Sequence, residues 1–302
     1  MNITDQILDE ITSAAGGENI YEKEPMARHT TMAVGGPAAL YITPENEEAL
    51  ISLLKIISKN SLPYYVIGNG SNVIVRDEGY DGIIIALGSA FSDIEVSKDI
   101  ITARAGALLK DISQLAYENS LTGFGFACGI PGSAGGAARM NAGAYGGEMK
   151  DIIKQVRALT FEGDICIISN EQMDFGYRHS ICSEKDLIIT QVVYELKSGD
   201  RAQIKASIDD LTAKRIEKQP LEYPSSGSTF KRPEGYFAGK LIMDSGLKGY
   251  SIGAAQVSEK HCGFVINKGG ASARDVLELI EYIKETVYEK QGVMLQCEVK
   301  IL

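Results

Sequence analysis

Residues Gly123–Gly147, GFGFACGIPGSAGGAARMNAGAYGG, contain nine glycines among 25 residues, whereas the whole chain has 32 in 302. Glycine inside a helix or strand costs stability, so this density predicts backbone that turns with positive φ or presses closely against a neighbour. Arg139, Asn141 and Tyr145 are its main polar side chains. The stretch therefore predicts a cradle that binds a cofactor through backbone N–H groups, as backbone nests bind phosphates. A tightly packed loop with no ligand is the alternative.

Bulk composition bounds the class of protein. A chain of 302 residues with 44% hydrophobic and 23% charged residues is typical of a soluble protein with two or three domains. The net charge of −10 argues against nucleic-acid binding, which favours a basic surface. A small anionic ligand stays possible, because it needs only a local cationic pocket. Five scattered cysteines without a C-x-x-C pair predict free thiols in a reducing compartment, with neither disulfides nor a zinc site.

The N-terminus and the apolar runs bear on location. MNITDQILDEI lacks the basic region and apolar core of a signal peptide. No apolar run approaches the ~20 residues that a membrane span needs. We therefore expect a cytoplasmic protein with no membrane insertion, and the sequence identifies no protein partner.

Hydrophobic periodicity predicts a mixture of helices and short strands. The order does not alternate regularly as in a βαβ protein, so it favours α+β layers. Ser272 and Asp275 form a capping box for the last helix, Gly292 closes it, and Thr43-Pro44 is predicted to start the second helix. The predicted helices are 4–14, 44–60, 108–119, 201–218 and 273–291, and the predicted strands are 64–67, 73–75, 83–87, 152–160, 165–168, 186–196 and an alternating 293–302.

A second glycine-bearing segment, Gly68–Asn72, reads GNGSN between two predicted strands. A strand that ends abruptly and resumes at once makes a tight, amide-rich turn, which suits an anion. The segment is not a dinucleotide fingerprint, because GNGSNV lacks the third glycine and no long helix follows. The chain also lacks the G-x-x-x-x-G-K-[ST] sequence of a phosphate-binding P-loop.

Three polar groups are candidates for chemistry, and each has a plain structural alternative. Tyr177-Arg178 in GYRHS offers a planar cation for a carboxylate or phosphate, or else a surface ion pair. Ser228 follows a glycine in SSGSTF, which is otherwise an ordinary serine-rich linker and contains no G-x-S-x-G elbow. Glu298 and Lys300 share one face of the last predicted strand, where a solvated edge is the usual explanation.

Taken together, these segments resemble the family of UDP-N-acetylenolpyruvoylglucosamine reductases. The resemblance runs from about Arg28 to the C-terminus and indicates the shorter, type II class, because no extended insert fits between GYRHS and the C-terminal part. Seven blocks in the same order make it specific. They are HTTMAVGGPA, VIGNGSNVIVRDEGYDG, GIPGSAGGAARMNAGAYGGEM, GYRHS, PSSGSTFKRP, AGKLIMDSGLKGYSIGAAQVSEKHCGFVIN and QCEVKIL.

The resemblance implies an α+β fold with an FAD-binding domain of the vanillyl-alcohol-oxidase (PCMH) type, made of two α+β subdomains. A smaller α+β substrate-binding domain follows it. The expected boundaries are a lead-in at 1–27, the FAD-binding domain at 28–197 and the substrate-binding domain at 198–302.

The resemblance also implies roles for residues at matching positions. Arg178, Ser228 and Glu298 correspond to catalytic residues, and Tyr177, Lys218 and Lys300 to substrate-binding positions. Lys300 stands where the family often has arginine, and a lysine lacks that residue's bidentate fork. The positions that match FAD contacts are Gly68, Asn69, Gly70, Ser71, Asn72, Gly129, Pro131, Gly132, Ser133, Gly136, Asn141, Gly143, Ala144 and Tyr145.

The implied activity is NADPH-dependent reduction, through FAD, of UDP-N-acetylglucosamine enolpyruvate to UDP-N-acetylmuramate. That reaction belongs to peptidoglycan synthesis and so to cell-wall formation, cell shape and cell division. Two other functions are considered. One is an FAD-dependent oxidase of the same superfamily acting on an alcohol or sugar, and the other is a non-catalytic protein that binds a nucleotide sugar.

Overall fold

Residues 3–16 and 19–302 are described by the structure, a computed structural model, and they form eight α-helices and eighteen β-strands. The helices are α1 (Asp5–Ala15), α2 (Glu47–Lys59), α3 (Leu109–Glu118), α4 (Ala134–Arg139), α5 (Ile181–Glu184), α6 (Arg201–Lys218), α7 (Ala238–Asp244) and α8 (Ala273–Gln291). The strands are β1 (Ile20–Pro25), β2 (Pro37–Ile42), β3 (Tyr64–Ile67), β4 (Val73–Ile74), β5 (Tyr80–Ala86), β6 (Ile94–Ser97), β7 (Ile100–Arg104), β8 (Leu121–Thr122), β9 (Gly143–Ala144), β10 (Gly147–Glu148), β11 (Ile153–Leu159), β12 (Ile165–Ser169), β13 (Ile188–Glu195), β14 (Lys197–Ser198), β15 (Ser251–Ile252), β16 (Ala255–Val257), β17 (Val265–Asn267) and β18 (Lys300–Ile301).

The chain divides into two compact units, and neither is a single continuous range. The first unit contains residues 1–22, 40–69 and 81–214, and the second contains 23–39, 70–80 and 215–302. The division into a lead-in, an FAD-binding domain and a substrate-binding domain concerns function and remains a prediction. Residues 1–2 and 17–18 of the predicted lead-in lie outside the described residues.

Besides the two-stranded pairs β9-β10 and β8-β14, the first unit contains two larger sheets. One has the strand order β1-β2-β5-β3, in which β3 and β5 run parallel with Val66 opposite Ile85. The other has the order β12-β11-β13-β7-β6 and is antiparallel, with Val156 opposite Val192 at its centre. The unit has two apolar cores, and the core at the first sheet also includes Leu159 of β11 and Ile188 of β13. Helices α1 and α2 contribute to the first core, and α3 and α4 contribute to the second.

The second unit packs α8 on the antiparallel sheet β15-β16-β17. The helix begins as predicted, because the Ser272 hydroxyl accepts a hydrogen bond from Asp275 N (3.0 Å) and the Asp275 carboxylate accepts one from Ser272 N (3.0 Å). It ends where Gly292 adopts φ +66. Its buried face comprises Ala273, Val276, Leu279, Ile280, Ile283, Thr286 and Val287.

The predicted start of the second helix was wrong. Thr43-Pro44 precedes the helix, and the N-cap is Asn46, whose side chain accepts a hydrogen bond from Ala49 N at 2.9 Å. Asparagine is among the best N-cap residues, and Glu47 and Glu48 in the first turn suit the positive end of the helix dipole. The chain therefore has a better cap three residues after the one that the sequence pattern selected.

The predicted strand over 293–302 was also wrong in extent. Its alternation of burial is present, since Met294 is 70% exposed whereas Leu295 is 1% and Val299 4% exposed. Only Lys300–Ile301 forms a strand, parallel to β4, and Cys297 adds an isolated bridge to Phe230. The segment opposite Cys297 runs into Pro233, which has no N–H to extend a ladder. No helix among the described residues combines the length and apolar character needed to cross a membrane.

Candidate active site

The turn Gly68–Asn72 carries the chain from the first unit into the second, and its conformation requires glycine at Gly70, whereas Gly68 is closely packed. A Cβ on Gly68 would overlap the Ser133 hydroxyl, and a Cβ on Gly70 (φ +60) would overlap the carbonyl oxygen of His29. Asn69 Nδ2 donates to the carbonyl oxygen of Pro131 (2.8 Å), which ties this turn to the glycine-rich stretch within the first unit.

The backbone N–H groups of this turn are the best candidates for binding an anion. Among the described residues, no hydrogen-bond partner is found for the N–H groups of Asn69, Gly70 and Ser71. Three successive amides around a left-handed residue form the kind of nest that binds phosphate oxygens. The turn therefore fits the pyrophosphate of a dinucleotide cofactor such as FAD.

The glycine-rich stretch is mostly packed against the protein itself. A Cβ on Gly135 would lie 2.7 Å from Ala105 Cβ, one on Gly143 would lie 2.7 Å from the Gly147 carbonyl oxygen, and one on Gly147 would lie 2.6 Å from Phe126. Gly136 differs, because the one atom near its Cβ in the described part of the chain, outside its own helix backbone, would be the Ser133 hydroxyl, at 3.5 Å. Close packing thus explains three of these glycines and leaves Gly136 for a ligand.

The remaining positions that match FAD contacts lie on either side of α4. Ser133 is its N-cap and is 3% exposed, and Tyr145 has φ +52 in the tight connection between β9 and β10. The Gly132 carbonyl oxygen accepts a hydrogen bond from Leu109 N (3.0 Å), whereas Pro131 is exposed. Gly129 follows a short 3-10 helix, and Ala144 is half-buried in β9.

The polar side chains of this stretch mainly hold the protein together. Arg139 donates to the carbonyl oxygens of Cys182 (2.7 Å) and Leu187 (2.9 Å) and pairs with Asp186 (2.7 Å). Asn141, which is 1% exposed, donates through Nδ2 to Glu148 Oε2 and to the Gly176 carbonyl oxygen, each at 2.9 Å. Both amide hydrogens of Asn141 are therefore used inside the protein.

Tyr177 and Arg178 occupy a tight turn whose ends, Gly176 and His179, form an isolated antiparallel bridge. Arg178 has φ +55, a left-handed conformation that costs a non-glycine residue about 1–2 kcal/mol. Its guanidinium carbon lies 5.1 Å from the centre of the Tyr177 ring, and Nη2 lies 3.5 Å from the Gly143 carbonyl oxygen. Strain of this kind is common at functional sites.

In the second unit, the segments that carry Ser228 and Glu298 run side by side. Glu298 N donates to the Thr229 carbonyl oxygen (2.9 Å) and Lys231 N to that of Gln296 (2.8 Å). Ser228 is exposed beside Gly227, which has φ +70, and Glu298 is half-buried. The structure thus brings two of the three predicted catalytic residues onto neighbouring segments.

Asn72 fastens the end of the GNGSN turn to this pair. Its Nδ2 donates to the Glu298 carbonyl oxygen (3.2 Å), and its own carbonyl oxygen accepts from Lys300 N (3.0 Å). Lys300 lies in β18 with an exposed side chain, and Lys218 is exposed at the last residue of α6. Of the two lysines, only Lys300 is thus placed next to the predicted catalytic segments by a contact within its unit.

Two residues outside the predicted site shape the Ser228 segment. Thr31 Oγ1 donates to the Ser225 carbonyl oxygen (2.7 Å), and Ser225 N donates back to the Thr31 carbonyl oxygen (3.1 Å). The Thr229 hydroxyl accepts from Val265 N (3.1 Å). Thr31 lies in HTTMAVGGPA, one of the seven blocks that carry the family resemblance, and this was the signal available for it in the sequence.

Two further features of the described chain carry no assigned role. Asp174, His179 and Glu184 place potential ligand atoms within 4.8 Å of one another, but both carboxylates are exposed, and exposed acidic groups often cluster without a cation. A groove of about 470 Å³ in the second unit is lined by none of the predicted site residues. Its lining comprises Arg76, Asp77, Glu78, Ile252, Arg274, Leu277, Glu278, Glu281, Tyr282 and Glu285.

Comparison with known proteins identifies the family. Residues 38–169 match the model of an FAD binding domain, and residues 219–302 match the model of the C-terminal domain of UDP-N-acetylenolpyruvoylglucosamine reductase. The reductase of Clostridium perfringens is 53% identical over 285 residues, which is 94% of this chain and 93% of the relative. The reductase of Geobacillus thermodenitrificans is 48% identical over 302 residues, covering 100% of this chain and 99% of the relative.

Solved structures agree with the sequence comparison. The crystal structure of the Thermus caldophilus reductase covers 93% of this chain and 98% of its own, with a TM-score of 0.81 and 35% identity. Phl p 4, a grass pollen allergen with glucose dehydrogenase activity, has a TM-score of 0.51 at 13% identity and covers 65% of this chain and 44% of its own, a likeness of fold alone. The predicted α+β fold with an FAD-binding domain and a smaller C-terminal domain is confirmed. The chain belongs to the family of UDP-N-acetylenolpyruvoylglucosamine reductases and is an FAD-dependent oxidoreductase.

Proposed function

We propose that this chain catalyses the NADPH-dependent reduction, through FAD, of the enolpyruvyl ether of UDP-N-acetylglucosamine enolpyruvate to UDP-N-acetylmuramate. The observation that carries the proposal is the pairing of the Ser228 and Glu298 segments, with Asn72 of the proposed FAD turn bonded to the Glu298 carbonyl oxygen. Hydrogen bonds to backbone carbonyl oxygens thus link the proposed cofactor turn to the segments that carry Ser228 and Glu298, which suits a reaction in which hydride and proton reach adjacent carbons. Bound FAD supplies the hydride chemistry, and the residues of the chain supply binding, charge and the proton.

Arg178 is proposed to stabilise the charge that develops when hydride adds to the terminal vinyl carbon. That charge spreads from the adjacent carbon into the substrate carboxylate. A fixed guanidinium suits a carboxylate, and one preorganised group of this kind is worth about 3–4 kcal/mol of transition-state stabilisation. Arg178 itself has the left-handed backbone conformation, with φ +55.

Ser228 is proposed to give its hydroxyl proton to the carbon next to the carboxylate, which completes the saturated ether. A serine hydroxyl is a weak acid in water, but here the acceptor is a carbanion. Gly227 precedes it with φ +70, and a Cβ added there would have no neighbour within 4 Å among the described residues, so the segment leaves room for a substrate. Glu298 has two candidate roles, a hydrogen bond to the substrate carboxylate as a neutral acid or the orientation of a water.

The cofactor and substrate positions complete the proposal. FAD would be held by the N–H groups at Asn69–Ser71 and by the open face at Gly136. Tyr177, Lys218 and Lys300 would contact substrate, with Lys300 acting as a point charge. A cytoplasmic location and roles in cell shape and cell division belong to the same proposal, and the five free cysteines support a reducing compartment.

The test is an anaerobic experiment in two half-reactions on the FAD-loaded protein. NADPH should bleach the flavin absorbance, and UDP-N-acetylglucosamine enolpyruvate should restore it. Ser228→Ala should keep the first half-reaction and slow the second by about 100-fold or more. A protein that folds without binding FAD would contradict the proposal, as would a Ser228→Ala variant with unchanged turnover.

A further inference from the structure

Asn141 connects three segments of the first unit. It follows α4, lies at φ +43 and is 1% exposed. Its Nδ2 donates to Glu148 Oε2 and to the Gly176 carbonyl oxygen, each at 2.9 Å, and its Oδ1 accepts from Lys150 N at 2.9 Å. Asparagine tolerates the left-handed region better than other side chains with two N–H donors. The position therefore requires both the conformation and the amide chemistry of asparagine.

The hydrogen bonds of Asn141 extend to the turn that contains Arg178 through the Gly176 carbonyl oxygen. The turn from Gly176 to His179 is closed by two backbone hydrogen bonds of 3.1 and 3.3 Å, and the second of these is long. It also has to hold Arg178 at φ +55. A turn that is closed weakly and strained internally needs an outside contact to keep one conformation. The buried amide of Asn141 supplies that contact two residues before Arg178.

The other N–H of the Asn141 amide donates to a charged group, the Glu148 carboxylate. The Glu148 carboxylate also pairs with Lys150 Nζ at 2.8 Å. The pKa of Glu148 is held below its usual value by the hydrogen bond from Lys150, which outweighs partial burial, with further lowering from Asn141 and from the charges of Lys150 and Arg178. Glu148 is therefore ionised at neutral pH and gives Asn141 a charged acceptor.

We infer that Asn141 is a positioning residue that fixes the Gly176–His179 turn and thereby the direction of Arg178. This role rests on the proposed catalytic role of Arg178. It differs from a direct side-chain contact with FAD, because both Asn141 donors already have protein partners. The bond to Glu148 anchors the amide, and the bond to Gly176 does the positioning.

The test variant is Asn141→Asp, which keeps the shape and the tolerance for positive φ. At neutral pH its carboxylate has no donor for Gly176 and faces the Glu148 carboxylate. Reoxidation of NADPH-reduced enzyme by the enolpyruvyl substrate should slow by about 10–100-fold, since a small misplacement of a catalytic group can cost about 100-fold. Reduction of FAD by NADPH should change by less than about threefold. The loss should shrink as the pH falls, because a protonated aspartate regains one donor.

A second variant separates positioning from stability. Asn141→Asp combined with Glu148→Gln lets the glutamine amide donate to the new carboxylate and removes the repulsion, but it leaves Gly176 without its donor. The midpoint of thermal unfolding should recover while slow reoxidation persists. Recovery of the reoxidation rate along with stability would overturn the inference. This double variant also covers the case in which Asn141→Asp alone does not fold.

Two controls keep the outcome distinct from a failure of the proposed function. Asn170→Asp removes donors to the carbonyl oxygens of Lys150 (2.8 Å) and Ile153 (2.6 Å) in the same unit without touching the turn. It should lower stability and leave reoxidation within about twofold. Arg178→Lys should slow reoxidation, and adding Asn141→Asp to this variant should lower the reoxidation rate little further. A normal rate for Arg178→Lys would refute the proposed catalytic role, whereas full additivity of the two losses would refute the inference about Asn141.

Discussion

Gly135 and Gly136 are neighbours in α4 and should respond oppositely to alanine. A Cβ on Gly135 would lie 2.7 Å from Ala105 Cβ and 3.3 Å from Ala105 Cα and O, closer than real Cβ contacts. The atoms of Ala105 cannot rotate away, and Gly135 N donates to the Ala105 carbonyl oxygen at 2.9 Å, so the backbones are held together. Gly136 is exposed, and the one atom of the described chain near its Cβ, outside its own helix backbone, would be the Ser133 hydroxyl, at 3.5 Å.

The difference between the two variants isolates the packing cost. Both substitutions replace glycine by alanine in the same helix, and each gains about 0.5–1 kcal/mol of helix stability. Overpacking a buried site costs about 1–3 kcal/mol. The free energy of unfolding of Gly135→Ala should therefore be lower than that of Gly136→Ala by about 1–3 kcal/mol. That of Gly136→Ala should equal or exceed the value for the parent protein.

Urea unfolding of the FAD-free protein measures this difference, with the slope of the transition checking that both variants unfold alike. A Gly135→Ala protein as stable as Gly136→Ala would refute the close-packing argument. FAD titration of the same variants then tests the cofactor contact separately. Gly136→Ala should bind FAD more weakly than the parent if Gly136 faces the cofactor, although its apoprotein loses no stability.

Three further predictions concern other parts of the chain. Glu47→Gln should lower the free energy of unfolding by about 1–3 kcal/mol at pH 7, because the Glu47 carboxylate accepts a 2.7 Å hydrogen bond from Arg157. Burial raises the pKa of Glu47, but hydrogen bonds from Arg157 and Thr190 outweigh it and hold the pKa below 4.5. The stabilisation is therefore present above pH 4.5 and should fade as the pH falls further. A difference in urea unfolding between the two proteins that does not change with pH would contradict this. Thr31→Val should lower stability by about 0.5–1.5 kcal/mol in the same assay, through loss of the hydrogen bond to Ser225, and unchanged stability would show that this bond contributes nothing. Burial raises the pKa of Cys182 to about 11, so iodoacetamide at pH 8 should leave Cys182 unmodified in the native protein and modify it after unfolding, as read by mass spectrometry; rapid native labelling would mean that the thiol is accessible.

Elements that depend on local signals were predictable from the sequence. Helix α8 shows this, because its capping box, apolar face and terminal glycine all lie within the segment itself. The second helix was misplaced at its start because the prediction relied on Thr43-Pro44, whereas Asn46, three residues later, is the better cap and forms it. The last segment was misjudged because a strand exists only where a partner can pair with it. Its partner is more than 60 residues away in sequence and ends at a proline.

The candidate site shows the same limit. The residue types at Arg178, Ser228 and Glu298 were visible in the sequence, but their supports were not. Nothing in the sequence near Thr31 indicates its two hydrogen bonds with Ser225, and the left-handed conformation of Arg178 has no local signature. Contacts of this kind join distant segments, so they are properties of the fold rather than of any motif.

The glycine-rich stretch satisfies two separate demands, and a glycine count cannot tell them apart. Gly135, Gly143 and Gly147 are small because protein atoms occupy the space a side chain would need. Gly136 and Gly146 have no such neighbour within 3.4 Å among the described residues, so packing does not explain them. Gly135 lets α4 approach Ala105, and Gly143 and Gly147 let β9 and β10 pack closely on each other and on Phe126. Asn141 lies between α4 and β9 in the sequence and reaches both Glu148 and Gly176. We therefore propose that the close-packed glycines act indirectly, by leaving room for one buried amide to contact the turn that carries Arg178.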